Sequence, residues 1–513
     1  MIGFDKMRSQ QMKIWMLAMV MLAWAARLYR LDAKSLWFDE IITVVLARAS
    51  WYDGLLGLLG QGIQLTPLFH WVTKLWLVVG DLEWLLRFPA LCISVLIVPL
   101  MFRLGRFYFR SAIGFIAAFI FAIAPYQVWY GQEIKLYTLL VFASIGSMLA
   151  FGYLIRSRGR QGMWAMLAFN LLGFCAHYFM FLISTVQFLY ILLTFGRTGK
   201  ILRRWIVAQF VPVLALVPWW LFIINQQHFA VGIGWVPRPR WFDPFLTLWD
   251  FSFGYDGNVS ALTILGLVVL AGGLSLGLWR AWRKSRWGRL LALWLFFPPL
   301  ITFALSFYRL SFYVDRYLLI ISPVLAMVTA YGLWQVRPWL CGVLFSLFIG
   351  AGLLGLWQLY FDPVNFNKDD WRALAQTVDA QAAPGDIVIA CNDGDALAFA
   401  YYNPRHTLNT ADIIIRMQVT STINAATHNA WIINKHYRPP IHILNPALPP
   451  VLDPALLAAD AAAWEKDHLQ EAVTVAGLSA YRYALTTDPH FLPEITAWHC
   501  DSDKFWRDRL FTQ

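Results

Sequence analysis

Residues 112–140 read AIGFIAAFIFAIAPYQVWYGQEIKLYTLL, an apolar run followed by a short charged loop and the start of a second apolar run. A membrane-spanning helix needs about 20 mostly apolar residues, and the first run, 112–130, has that length. The loop after it carries Glu133 and Lys135. This stretch therefore predicts two spanning helices joined by a loop that contains both signs of charge.

The same pattern extends along most of the chain. The 513 residues are 59% hydrophobic and 14% charged, whereas soluble proteins average about 45–50% apolar and about 25% charged residues. This composition predicts a polytopic α-helical membrane protein with about 11 transmembrane helices. The predicted spans are 12–30, 88–103, 112–130, 137–155, 162–178, 180–196, 205–224, 259–279, 290–308, 317–335 and 339–360.

One further apolar segment, residues 65–79, is shorter and contains His70 and Lys74. We expect it to form an interfacial amphipathic helix within the first outer loop, 31–87, of a transmembrane catalytic domain over residues 1–360. The predicted cytoplasmic loops then hold 19 basic residues and one acid, as the positive-inside rule requires. The net charge of +11 therefore indicates an orientation with the amino terminus inside and the carboxyl terminus outside, and no nucleic-acid partner.

Residues 361–513 contain no run long enough to span a membrane. Residues 368–381 have helical spacing, and a turn is expected at Pro384-Gly385. This segment is predicted to be an extracytoplasmic α/β domain, in which Cys391 and Cys500 would share an oxidising compartment and could pair. The predicted strands are DIVIAC, WIINKHY, IHIL and AVTVAGLSAYRYAL.

Acidic residues in the membrane half, apart from Asp5, all lie on the predicted outer side. Acids near a bilayer are costly and mark functional sites by default, so the outer side is where we expect the chemistry. These acids are Asp32, Asp39, Glu40, Asp53, Asp81, Glu83, Glu133, Asp243, Asp250, Asp256 and Asp315.

The first outer loop contains SLWFDEIIT, with the adjacent carboxylates Asp39 and Glu40. Neighbouring residues on a helix point about 100° apart, which favours two different roles. One carboxylate could accept a proton, while the other binds a cation or fixes a partner. The alternative is a solvated helix start, since acids favour a helix amino terminus.

Two later loops carry cations close to acids. Glu133 and Lys135 could hold a phosphate head group, with or without a metal ion, and Arg316 could bind a phosphate through two hydrogen bonds. The alternatives are an interfacial ion pair and an ordinary topology anchor. His177, in FCAHYFM, is either a ligand or a satisfied interfacial histidine.

The order of these motifs resembles that of the GT-C class of integral-membrane glycosyltransferases. The closest likeness is to bacterial members near the protein O-mannosyltransferase and aminoarabinose transferase families. The similar motifs are W-F-D-E (37–40), T-P-L-F-H-W (66–71), G-D-L-E-W-L-L-R-F-P-A-L (80–91), Y-G-Q-E-I-K-L-Y (130–137), R-Y-L-L (316–319) and D-W-R (370–372).

The resemblance implies a sugar transferred with inversion from a polyprenyl-phosphate donor. The acceptor would be an envelope glycan, glycolipid or protein outside the cytoplasm, at a bacterial inner (plasma) membrane. By their match to the motifs, Asp39 becomes the general base, Glu133 the second acidic residue of the catalytic site, and Lys135 and Arg316 the donor-phosphate ligands. Lys135 stands where the family usually has arginine.

Further candidates are Glu40 and His70, on the same resemblance, together with Tyr137 and His177. A divalent metal cation is expected to bind, if at all, through Glu40 or Glu133. The competing hypothesis is a transporter or flippase of a lipid-linked sugar, which predicts repeated halves with ionisable residues near the bilayer midplane. The sequence has no evident repeat, and its acids lie at the predicted outer ends of spans.

Overall fold

Contacts divide the chain into two compact units. The helical unit comprises Met1–Leu31 and Thr43–Tyr360, and the α/β unit comprises Asp32–Ile42 and Phe361–Gln513. Residues 32–42, expected in the first outer loop of the transmembrane domain, therefore group with the carboxy-terminal residues. The computed structural model describes residues 9–61, 66–156, 159–195, 199–225, 236–255, 259–308, 311–362, 368–383, 386–403, 413–415, 429–435, 466–475, 478–485, 492, 495, 496 and 500.

Helices account for most of the described residues before position 362. A 3-10 helix, Asp315–Ile321, leads directly into the sixteenth of them. These helices are α1 (Ser9–Leu28), α2 (Phe38–Arg48), α3 (Trp51–Gln61), α4 (Pro67–Trp76), α5 (Glu83–Tyr108), α6 (Ser111–Ile123), α7 (Pro125–Gly131), α8 (Tyr137–Ile155), α9 (Gly159–Ala176), α10 (Met180–Phe195), α11 (Lys200–Ala215), α12 (Val217–Asn225), α13 (Asp243–Phe253), α14 (Ala261–Lys284), α15 (Gly288–Leu305), α16 (Ser322–Leu333) and α17 (Pro338–Phe361).

The prediction of a helical membrane protein is confirmed. In the described part of the chain, 7 helical segments are long and apolar enough to cross a membrane, or 8 if the bent pair α6–α7 is one span. Each of the 11 predicted spans coincides with a helix or a pair of helices, but α1, α9 and α10 do not meet the criterion. The count of 11 and the orientation therefore stay predictions.

The segment predicted to lie in the interface forms a short helix. Helix α4 has 10 residues, which is half the length that a span needs. Its location at the membrane interface stays a prediction, and Leu65 lies outside the described residues.

The predicted span 112–130 is not one straight helix, because α6 and α7 meet at an angle of 60°. Pro125 begins α7 and has no backbone N–H, so it cannot bond to the carbonyl of Phe121 four residues earlier. The buried guanidinium of Arg27 donates to the oxygen of Phe121 at 3.1 Å and to that of Ala122 at 2.8 Å. A carbonyl in a membrane needs an internal partner, and Arg27 provides it at the bend.

The α/β unit contains one mixed sheet. The strand order is β2-β1-β3-β5-β4, with β1 parallel to β2 and β3, and with β5 antiparallel to β3 and β4. The apolar core against the sheet includes Ile389, Ile432 and Tyr483. The described elements are α18 (Trp371–Gln381), α19 (Asp393–Tyr402), β1 (Ile387–Ala390), β2 (Ile413–Ile415), β3 (Asn429–Lys435), β4 (Leu469–Val475) and β5 (Leu478–Ala484).

These elements coincide with most of the predicted ones. Helix α18 lies within the helical pattern of 368–381, and the Asp370 carboxylate caps it by accepting a hydrogen bond from the N–H of Ala373 at 3.1 Å. DIVIAC contains β1, WIINKHY begins within β3, and AVTVAGLSAYRYAL covers most of β4 and β5. The IHIL strand and the Pro384-Gly385 turn lie outside the described residues.

Cys391 and Cys500 form a disulfide within the α/β unit, so the pairing left open by the sequence occurs. It links residues 109 positions apart. In the chain-entropy model, closing a loop of that length raises the free energy of the unfolded chain by about 4–5 kcal/mol.

Replacing Arg27 with methionine should destabilise the helical unit. The Arg27→Met variant keeps an unbranched side chain but leaves the carbonyls at the bend and the hydroxyl of Ser94, now bonded at 2.6 Å, without that donor. Each buried polar group left unpaired costs about 1–3 kcal/mol, so the thermal unfolding midpoint in detergent should fall clearly. The exposed Lys284→Met is the matched control, and equal midpoints for both variants would contradict this role of Arg27.

Candidate functional site

Three phenols meet an acid where α7 follows the bend. The Tyr126 hydroxyl donates to Oδ2 of Asp315 at 2.9 Å. The Tyr255 hydroxyl lies 3.0 Å from that of Tyr126 and 2.5 Å from that of Tyr130. Burial, and then the negative charge of Asp315, hold the pKa of Tyr255 well above its usual value. The Tyr255 phenol therefore stays protonated and can act as a hydrogen-bond donor.

The turn between α7 and α8 carries the predicted acid and cation. Oε1 of Glu133 accepts a hydrogen bond from the indole N–H of Trp129 at 2.6 Å, and the N–H of Lys135 donates to the backbone oxygen of Glu133 at 2.8 Å. Glu133 is fully buried and Lys135 is 7% exposed. Charges in such surroundings are screened much less than in water, so the ammonium of Lys135 can attract a bound anion strongly.

A chain of rings joins this turn to the other predicted residues. The ring of Tyr137 lies 5.0 Å from that of Tyr130 and 6.1 Å from that of Tyr317, centroid to centroid. Tyr317 in turn contacts the ring of His177 at 4.7 Å and the guanidinium of Arg316 at 5.8 Å. The rings of Tyr126, Tyr130, Tyr137, Tyr255 and Tyr317 form a tyrosine cluster in the helical unit. Four of the predicted site residues, Glu133, Tyr137, His177 and Arg316, come together at this cluster, and Lys135 lies in the same turn as Glu133.

His177 lies at the junction of α9 and α10. Its Nδ1 accepts a hydrogen bond from the N–H of Phe179 at 3.0 Å, whereas its buried Nε2 has no hydrogen-bond partner among the described residues. The T-P-L-F-H-W motif reaches the same junction, because the buried hydroxyl of Thr66 lies 2.6 Å from the oxygen of Cys175 and 2.7 Å from that of Ala176.

Asp39 and Glu40 lie in the first turn of α2, within the α/β unit. Asp39 is half-buried, and Glu40 is fully buried. The ammonium of Lys368 lies 2.9 Å from Oε2 of Glu40. The two neighbouring carboxylates therefore have different surroundings, and Glu40 is the one that fixes a partner.

The surroundings of His70 differ from those of the predicted site residues at the tyrosine cluster. It is 2% exposed, and neither ring nitrogen has a hydrogen-bond partner among the residues that the structure describes. Burial, and then the positive charge of Lys74, lower its pKa to about 4. It is therefore a neutral, packed histidine, and no hydrogen bond within the described part of the chain joins it to Glu133 or Arg316.

No group of three or more His, Cys, Asp and Glu side chains in the described part of the chain could hold a metal ion. The carboxylate of Glu40 pairs with Lys368, and that of Glu133 accepts from Trp129. A divalent cation needs several ligands, and a bound metal stays a prediction of the resemblance.

Four contributing residues were missed by sequence analysis. Tyr255 follows Gly254 in a short loop that has no motif, and Thr66 was read only as part of a motif. Arg27 did carry a signal, since an arginine inside a predicted span marks a structural or functional role. Lys368 carried none, because its partner Glu40 is 328 positions away.

Comparison with known proteins tests the resemblance directly. Residues 64–222 match the family model of dolichyl-phosphate-mannose-protein mannosyltransferases. This confirms the predicted resemblance over a segment that runs from α4 into α12. A search of curated proteins by sequence gives no match.

The chain is also similar to crystal structures of ArnT from Cupriavidus metallidurans. For ArnT bound to undecaprenyl phosphate, the TM-score is 0.57 at 12% identity, covering 94% of this chain and 99% of ArnT. For ArnT in the apo state, the TM-score is 0.58 at 12% identity, covering 92% and 98%. The chain has the fold of ArnT. At this identity the ArnT likeness establishes the fold alone.

The pKa of His70 predicts how stability depends on pH. An unfolded histidine has a pKa of about 6.5, so between that value and about 4 the unfolded state binds more protons than the folded state. Stability is therefore lost as the pH falls through this window. The His70→Leu variant should lose less stability than the wild type between about pH 7 and about pH 5, measured by thermal unfolding in detergent. The same loss in both proteins would contradict the assignment.

Proposed function

We propose that this protein is an inverting glycosyltransferase. It moves a sugar from a polyprenyl-phosphate donor to a hydroxyl of an envelope glycan, glycolipid or protein outside the cytoplasm. The observation that carries the proposal is the cluster around Tyr130, where Glu133, Asp315 and Arg316 all interact electrostatically with one buried phenol. The mannosyltransferase family match and the fold of ArnT, whose structure holds undecaprenyl phosphate, support the same reaction.

In this mechanism the acceptor oxygen attacks the anomeric carbon of the sugar from the face opposite the phosphate. The bond from that carbon to the phosphate oxygen breaks, and polyprenyl phosphate leaves with the bonding electrons. The carboxylate of Asp39 takes the proton of the acceptor hydroxyl, which is general-base catalysis. The configuration at the anomeric carbon is inverted because the transfer is a single displacement.

The leaving phosphate gains negative charge during the reaction and needs preorganised cations. Lys135 and Arg316 are assigned this role. Lys135 is largely buried, where its charge acts on a nearby phosphate with less screening than in water. Glu133, held by Trp129, fixes the turn that carries Lys135.

We also propose that the protein lies in a bacterial inner (plasma) membrane with the α/β unit outside the cytoplasm. The disulfide between Cys391 and Cys500 supports this placement, because disulfides persist in oxidising compartments and are rare in the cytosol.

Replacing Asp39 with asparagine tests the general base. Asparagine has nearly the same shape but cannot accept a proton at neutral pH, so sugar transfer in isolated membranes should fall by about 10²–10⁴-fold. Asp32→Asn, an exposed position in the same segment, is the matched control and should keep wild-type activity. Transfer from Asp39→Asn at the wild-type rate, with equal protein in the membrane, would disprove the assignment.

Replacing Lys135 with alanine tests whether Lys135 binds the donor phosphate. Hydrogen bonds to charged groups contribute about 1.5–3 kcal/mol, so kcat/KM for a polyprenyl-phosphate sugar should fall by about 10–100-fold. Lys135→Arg keeps the charge and should retain most of the activity. Lys200→Ala, at an exposed helix end, controls for the loss of a lysine. Equal kcat/KM for Lys135→Ala and the control would remove Lys135 from the site.

A further inference from the structure

The segment before α2 is held by residues of the α/β unit that are more than three hundred positions away in the sequence. The Ser35 hydroxyl donates to the backbone oxygen of Asp369 at 2.9 Å. The N–H of Leu36 donates to the hydroxyl of Tyr402 at 2.7 Å. These contacts fix the backbone of the segment on the amino-terminal side of Asp39.

The residues on either side of Asp39 are held as well. Phe38 packs so closely against Gly394 that a Cβ on Gly394 would lie 3.0 Å from the Phe38 ring. Glu40, on the other side, pairs with Lys368 at 2.9 Å, and the two side chains are 0% and 6% exposed. Asp39, in contrast, is only half-buried. The first turn of α2 is therefore fixed at both neighbours while Asp39 stays accessible.

A buried carboxylate without a cation is strongly destabilising, because its charge has lost water and gained no partner. Removing Lys368 would therefore force Glu40 to bind a proton or to turn towards water. Adjacent residues in a helical turn are rigidly related, about 100° apart. A rotation that exposes Glu40 would consequently move Asp39.

We infer that Lys368 is a positioning residue for Asp39 and acts through Glu40, so that the α/β unit forms part of the catalytic machinery. This inference rests on the proposed role of Asp39 as general base. It gives the carboxy-terminal residues a function that their strand and helix pattern does not reveal. It also assigns Glu40 a structural role beside the base, since the carboxylate of Glu40 already pairs with an ammonium.

The test uses the full-length protein in membranes and separates kcat from KM. Lys368→Met should lower kcat by about 10–100-fold, since a displacement of about 1 Å at a catalytic group has an effect of that size. KM for the donor should stay within about twofold, because the proposed phosphate ligands belong to the helical unit. Lys368→Arg keeps the ion pair and should restore most of kcat. Lys466→Met, an exposed lysine of the same unit, should leave both constants unchanged.

The double variant Glu40→Gln/Lys368→Met tests whether Lys368 acts through Glu40. If Lys368 acts through Glu40, the loss in kcat will be no greater than that of the more severe single variant, and not their product. Multiplicative losses would show that Lys368 acts independently of Glu40 and would overturn the inference.

Two further results keep this inference apart from the proposed function. If Asp39→Asn abolishes transfer while Lys368→Met has wild-type kcat, the positioning role is wrong and the general base stands. If Asp39→Asn retains transfer, the proposed base itself is wrong. Should Lys368→Met fail to reach the membrane, Lys368→Gln replaces it, because this variant keeps a polar side chain at the position and still removes the ammonium. A several-fold loss in its kcat supports the inference, and an unchanged kcat overturns it.

Discussion

The hydrogen bonds from Arg27 to the carbonyls of Phe121 and Ala122 are the interaction on which the site in the helical unit depends. A proline breaks the helix, and within a membrane the carbonyls it releases must find a partner in the protein. Without that partner, a bend of 60° between α6 and α7 would be costly. With it, α7 can leave the direction of the span and carry Tyr126 and Tyr130 to the acids and cations of the cluster.

The Y-G-Q-E residues (130–133) of the second outer loop are also constrained by contacts with Arg27 and its neighbours. A Cβ on Gly131 would lie 2.8 Å from Oγ of Ser94 and 3.2 Å from Nε of Arg27, so a larger residue would push on the serine that Arg27 bonds to. Gln132 then donates to the backbone oxygens of Arg27 and Tyr29, both at 2.9 Å, and so satisfies carbonyls at the end of α1. Two residues with no chemical role thus hold the turn on which Glu133 stands.

The sequence predicted helix positions well because long apolar runs are a direct consequence of burial in lipid. It did not predict the bend, since Pro125 lies inside an apolar run and proline is tolerated in spanning helices when other groups take up the freed carbonyls. Glu133, Tyr137, His177 and Arg316 were found by motif and come together around the tyrosine rings. His70 was also found by motif, yet it is a packed neutral side chain. Whether a motif residue joins the cluster depends on its tertiary contacts, which the identity of that one residue does not reveal.

The two units treat their charges in different ways, and this bears on the division of labour in the proposed reaction. In the α/β unit the buried carboxylate of Glu40 has its own ammonium, and this ion pair lies next to the half-buried Asp39. A carboxylate that acts as general base must be ionised before it accepts a proton. A neighbouring carboxylate that is fixed and already paired with a cation therefore suits it better than a second unpaired acid. In the helical unit, the Tyr126 phenol donates to Asp315, and the Tyr130 phenol interacts electrostatically with Asp315 and Glu133. Phenols donate hydrogen bonds without adding positive charge. In the proposed reaction Arg316 and Lys135 supply the positive charge that a leaving phosphate requires.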